Sequence, residues 1–182
     1  MLIKINIIIK LHKNKLNRYF NESTKIIFKS YLLAIIIFEI FRIILLLTNL
    51  SRVDFTQEKN DLLYSFLMGL RFDIVISGYL LILPFLFLTI ASYFTKISSQ
   101  ILKVIYYLTA FTFTFAFLIC AIDVPFFNQF FSRLSITVFE WINTPAFVFK
   151  MIFQEPRYWL YAIPYLLLIF IFFKVSKAIF FK

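Results

Sequence analysis

Residues 74–93 and 104–122 run for 20 and 19 positions without one charged side chain. A helix rises about 1.5 Å per residue, so about 20 apolar residues carry it across the hydrocarbon of a bilayer. No water is available there to satisfy peptide N–H and C=O groups, which forces such runs into helices. The rest of the composition agrees, with 62% hydrophobic residues, 27 Phe and only 2 Gly. A soluble globule holds roughly 45–50% apolar residues. The chain is therefore expected to be an all-α integral membrane protein.

Four spans are expected. The first covers about residues 31–50 and is apolar except for Glu39, Arg42 and a polar pair near its end; the second covers about 62–93, with a kink expected at Pro84. The third covers about 104–122 and the fourth about 158–173, the latter short and containing Pro164. Residues 1–28 read as a basic cytoplasmic arm, amphipathic or disordered. They do not read as a signal peptide, because Lys4 interrupts the apolar stretch, Lys10 follows it and no small-residue cleavage site comes next.

Lys and Arg accumulate on the cytoplasmic side of short membrane flanks. An even number of spans puts both termini on one side, and that side holds twelve basic residues against the single acid Glu22. The other side holds five basic residues against six acids. Both termini are thus expected in the cytoplasm of a bacterial cell, with the chain in its cytoplasmic (inner) membrane. The same asymmetry accounts for the net charge of +10, since flanking lysines attract anionic phospholipid headgroups. Nucleic acid is not an expected partner, because its binding needs basic residues gathered on a folded face.

The stretch from residue 123 to 159 breaks this pattern. It holds Asp123, Arg133, Glu140, Lys150, Glu155 and Arg157 among aromatics and three prolines. Arg133, Thr137, Glu140 and Thr144 recur at helical spacing, and Thr144–Pro145 reads as a cap and first helical residue. An extracytoplasmic pair of amphipathic helices over about 132–154, lying in the membrane interface, is the expectation.

Charges at membrane depth draw attention because they are expensive when unpaired. Glu39 and Arg42, three apart on one helix, are a candidate intramembrane ion pair. Arg71 and Asp73 read as a pair at the outer interface. With Asp123, Arg133, Glu140, Glu155 and Arg157 they form the candidate lipid-headgroup or interfacial set. The spacing of the acids matches no metal motif, and His12 has no Cys or acidic partner at ligand spacing. Cys120 stands alone inside a span, so no disulfide within the chain is possible. No phosphate loop, GxSxG or HExxH occurs, and no complete catalytic set can be assembled.

Three blocks carry a resemblance: GLRFDIVISGYLLILPF from Gly69, the Asp123, Pro125, Phe126 turn after the third span, and FVFKMIFQEPRYW from Phe147. Together they resemble the membrane region of bacterial lipoteichoic-acid-synthase-like proteins of the sulfatase and alkaline phosphatase superfamily, over about residues 31–175. The resemblance implies a bundle of about five spans that anchors a large extracytoplasmic α/β domain. There a Thr nucleophile beside a divalent metal, Mn, Zn or Mg, would transfer a phosphoglycerol-type or phosphoethanolamine-type group from a phospholipid. No residue of this chain matches that catalytic motif, and no cofactor is expected within it. Because the chain ends one crossing short of such a domain, the expectation is an anchor and lipid-positioning part that acts with a catalytic domain, possible as a separately encoded chain. The alternatives are a small transporter or channel subunit with Glu39, Arg42, Arg71 and Asp73 along a polar path, and an assembly partner for another membrane protein.

Overall fold

The computed structural model describes residues 2–50, 59–94, 98–135, 146, 150, 153–154 and 156–181. The described residues are helical with no strand. Among the described residues are four long helices, α1 (Leu2–Thr48), α2 (Lys59–Phe94), α3 (Ser99–Phe130) and α4 (Pro156–Phe181). Each contains a stretch long and apolar enough to cross a membrane. The chain is a multi-pass membrane protein.

Successive helices run antiparallel. Hydrogen bonds between α3 and α4 show it directly: Asn128 Nδ2 donates to the Tyr161 hydroxyl at 2.9 Å, Tyr165 donates to the Thr114 carbonyl at 3.3 Å, and Tyr106 donates to that of Phe173 at 3.4 Å. Helices α1 and α3 touch each other and both remaining helices, leaving α2 and α4 on either side of that pair.

Each helix turns a narrow stripe inward at the 3.6-residue period. The stripe is Ala34, Ile37, Phe38 and Phe41 on α1; Ser77, Leu81, Pro84 and Leu88 on α2; Tyr106, Ala110, Phe113 and Phe117 on α3; and Phe172, Ser176 and Phe180 on α4. Lipid is as apolar as these side chains, so the bundle is held by close packing instead of by hydrophobic transfer. The rings supply that packing. Phe117 lies at the centre, 5.1 Å from Phe38, 5.7 Å from Phe113 and 5.3 Å from Phe172 between centroids. Outward-facing rings and aliphatics stay uncovered, with Tyr79, Phe111 and Leu160 each at least 70% exposed, as a lipid-facing surface requires.

The helices are longer than the spans expected from sequence. The boundary drawn at residue 28 is not a structural one, because α1 continues through it. Ser23, Ile26, Ile27 and Ser30 turn inward while Glu22, Lys25 and Lys29 stay exposed, so charge marks the outer face there and not the helix end. At the other end of the bundle α3 passes through Asp123 and Pro125 to Phe130. The turn expected at Asp123, Pro125 and Phe126 is therefore helical. Proline removes one intrahelical bond, to the Ala121 carbonyl, without ending the helix. Helix α4 likewise extends beyond residue 173, where Lys174 lays its ammonium 4.8 Å over the Phe170 ring. The interfacial pair expected over 132–154 lies mostly outside the described residues.

Candidate functional site

Glu39, Arg42, Asp73, Asp123 and Arg133 gather at the end of the bundle remote from the chain termini. Arg42 leaves α1 at a point where α2 presents Phe66, Gly69 and Asp73, spaced i, i+3 and i+7 on one face. One guanidinium nitrogen, Nη2, donates to Asp73 Oδ2 at 2.5 Å, and the other, Nη1, donates to Glu39 Oε1 one turn back on α1. The Phe66 ring lies 5.8 Å from the guanidinium carbon. Gly69 leaves the space the group fills: a Cβ there would run into Arg42 Cζ, Nε and Nη2. The Arg42 and Asp73 side chains are only 14% and 13% exposed. Pairing with two carboxylates offsets the desolvation that a lone guanidinium would suffer at this depth.

A second assembly forms where α3 ends. Phe131 adopts a left-handed conformation, φ 55°, and donates its N–H to the Phe127 carbonyl at 2.9 Å. This reversal brings residues 133 and 134 back over the helix. Asp123 then receives two bonds: Oδ1 accepts from the Leu134 N–H at 2.7 Å, and Oδ2 accepts from Arg133 Nη1 at 2.5 Å. The Asp123 side chain is 14% exposed and that of Arg133 62%.

Between the two assemblies is a cavity of about 80 Å³, lined by Phe38, Phe41, Arg42, Leu45, Asp73, Cys120, Asp123, Val124 and Arg133. It has room for several water molecules. Arg42 and Asp73 form one wall, Asp123 and Cys120 the other, and the exposed Arg133 marks the mouth. Below it the rings of Phe38, Phe113, Phe117 and Phe172 close the bundle core. Asp123 stands 20 residues above Lys103 on α3, a rise of about 30 Å. That is the thickness of the hydrocarbon.

The structure brings together five of the residues singled out from sequence: Glu39, Arg42, Asp73, Asp123 and Arg133. It separates Arg71 from Asp73, because positions two apart on a helix point to nearly opposite sides. Arg71 is exposed while Asp73 faces Arg42. Glu39, Arg42, Arg71 and Asp73 thus do not line one path. Arg157 is in the first turn of α4, and Glu140 and Glu155 are outside the described residues. Gly69, Phe66 and Cys120 were not singled out. Spacing was the available signal for the first two, since one of only two glycines in the chain falls one turn before a membrane-depth Asp. Among the described residues no group of three or more His, Cys, Asp or Glu side chains is arranged to hold a metal ion.

Comparison with protein-family models, with curated proteins and with solved structures returned no match.

Proposed function

We propose that this bundle is the membrane-anchor and lipid-positioning part of a cell-envelope lipid-headgroup transferase or sulfatase-like enzyme. The carrying observation is the cavity: two ion-paired assemblies, from α1 with α2 and from the end of α3, converge on one polar space at the end of the bundle remote from the chain termini. An amphiphile whose chains lie against the apolar outer faces of the helices would place its headgroup there. Two of the three blocks behind the resemblance to the lipoteichoic-acid-synthase-like proteins, those of Asp73 and Asp123, contribute a carboxylate to this space. In this reading both termini are cytoplasmic, the cavity faces outward in a bacterial cytoplasmic membrane, and a metal-dependent α/β domain supplies the chemistry. The chain's part is to hold the donor phospholipid beneath that domain.

The test uses the 182-residue chain in lipid nanodiscs with a phospholipid bearing a photoreactive group near its phosphate. Labelling is expected to concentrate on α1 and α3 around the cavity and to fall severalfold in Arg133→Gln. Uniform labelling around the bundle, unchanged by Arg133→Gln, would sink the positioning role. Metal-dependent transfer of phosphoglycerol or phosphoethanolamine by these residues alone would overturn the assignment of the chemistry to another domain.

A further inference from the structure

The charges around the cavity narrow the class of headgroup, an inference that rests on the lipid-positioning reading. Two carboxylates, Asp73 and Asp123, and two guanidiniums, Arg42 and Arg133, line it, so its own charges balance. Arg42 is already engaged. Its two terminal nitrogens each hold a carboxylate, and Phe66 and Gly69 crowd the group further. The two carboxylates held by Arg42 would repel a phosphate approaching the same group.

Asp73 is placed differently. It accepts from Arg42 through Oδ2, and among the described residues Oδ1 has no partner although Asp73 lines the cavity. Asp123, across the cavity, presents a second carboxylate whose bonds run to Arg133 and Leu134. The inner part of the cavity is thus dominated by acceptors, and the mouth by the exposed donor Arg133. That polarity suits a zwitterion. An ammonium inside would give its N–H donors to carboxylates, and its charge would offset that of its own phosphate. The phosphate beside it would meet Arg133 at the rim. A glycerol headgroup brings hydroxyls but no positive charge, and would leave the negative charge of its own phosphate uncompensated. A divalent metal fits less well, since only two carboxylates face the space and both are beside a guanidinium.

We propose that the cavity selects the primary ammonium of a phosphoethanolamine-type headgroup, held between Asp73 and Asp123 with its phosphate on Arg133, over a phosphoglycerol headgroup.

Native mass spectrometry of the full chain titrated with phosphatidylethanolamine, phosphatidylglycerol and phosphatidylcholine of matched chains tests this. Phosphatidylethanolamine is expected to bind at least fivefold more tightly than either of the others. Asp123→Asn, which keeps an acceptor for the Leu134 N–H, and Asp73→Asn should each remove that preference. Circular dichroism of each variant shows whether it has kept its fold. Equal binding of the ethanolamine and glycerol lipids, both weakened by Arg133→Gln, would overturn the ammonium assignment and leave the positioning role standing. Binding of no lipid in a manner sensitive to Arg133 would overturn both. Equal affinity for free O-phosphoethanolamine and for the lipid would reassign the site to a soluble ligand and overturn the lipid assignment.

Discussion

Gly69 and Arg42 are coupled through space that only a hydrogen atom leaves free. In an ordinary helix Gly→Ala stabilises by about 1 kcal/mol, because alanine is the better helix former. Here the added methyl meets a guanidinium held by Glu39 and Asp73, and forced overpacking costs roughly 1–3 kcal/mol. Gly69→Ala is therefore expected to lower the unfolding midpoint in detergent. In an Arg42→Ala background the same change should raise it. A stabilising Gly69→Ala in the otherwise unchanged chain would contradict the notch. Removing Arg42 alone leaves two carboxylates uncompensated, and breaking a buried pair in this way costs roughly 3–5 kcal/mol. Arg42→Met should thus be severely destabilising, and adding Asp73→Asn should recover part of the loss, with a coupling of about 1–3 kcal/mol in a thermal-unfolding double-mutant cycle.

Helix α3 ends through a contact that its own sequence does not advertise. The chain reverses at Phe131 and is fastened by Asp123, which spans ten residues to Arg133 and eleven to Leu134. A hydrogen bond to a charged group is worth roughly 1.5–3 kcal/mol, so Asp123→Ala should speed hydrogen exchange of the Leu134 amide by tenfold or more. Asp123→Asn keeps an acceptor and should speed it less. Equal exchange in both variants would show that the reversal stands without the carboxylate. The same contact explains why α3 outruns the span expected from hydropathy. Residues 123–130 carry Asp and Pro, which in a sequence look like an end, yet the acid is satisfied from beyond the helix and Pro125 only forgoes one bond.

At the scale of the whole molecule, Phe117 ties α3 to α1 and α4 through ring contacts with Phe38, Phe41 and Phe172. Truncating a buried Phe to Ala costs about 3–5 kcal/mol in a close-packed core. Phe117→Ala should therefore loosen the bundle more than any lipid-facing substitution, such as Phe111→Ala, measured by thermal aggregation in detergent. Comparable losses at the two positions would mean that the rings do not carry the packing. The proposed orientation has its own check, in a Cys120→Ser background. Cysteine in place of Ser132 should react with a membrane-impermeant maleimide on intact cells, while cysteine in place of Ser99 should react only after permeabilisation. The reverse pattern would invert the bundle and turn the cavity toward the cytoplasm.

The sequence by itself determined that this chain crosses a membrane as helices, because uncharged runs of 20 and 19 residues leave the backbone no other way to satisfy its hydrogen bonds in lipid. It also pointed to Glu39 and Arg42, since charge at membrane depth is costly wherever it occurs, and to Asp73, Asp123 and Arg133 as interfacial charges. Helix length was only partly legible. Hydropathy reads the hydrocarbon, whereas exposed Lys25 and Lys29 show that a helix continues wherever its charged side chains can face outward. Partnership was decided by tertiary structure alone. Proximity along the chain paired Asp73 with Arg71, but two residues of helix turn a side chain to the far side, and Asp73 instead meets an arginine 31 positions away. Which charges share a cavity, and which one is left facing out, depends on how four antiparallel stripes come into register, and that is set by ring packing across helices.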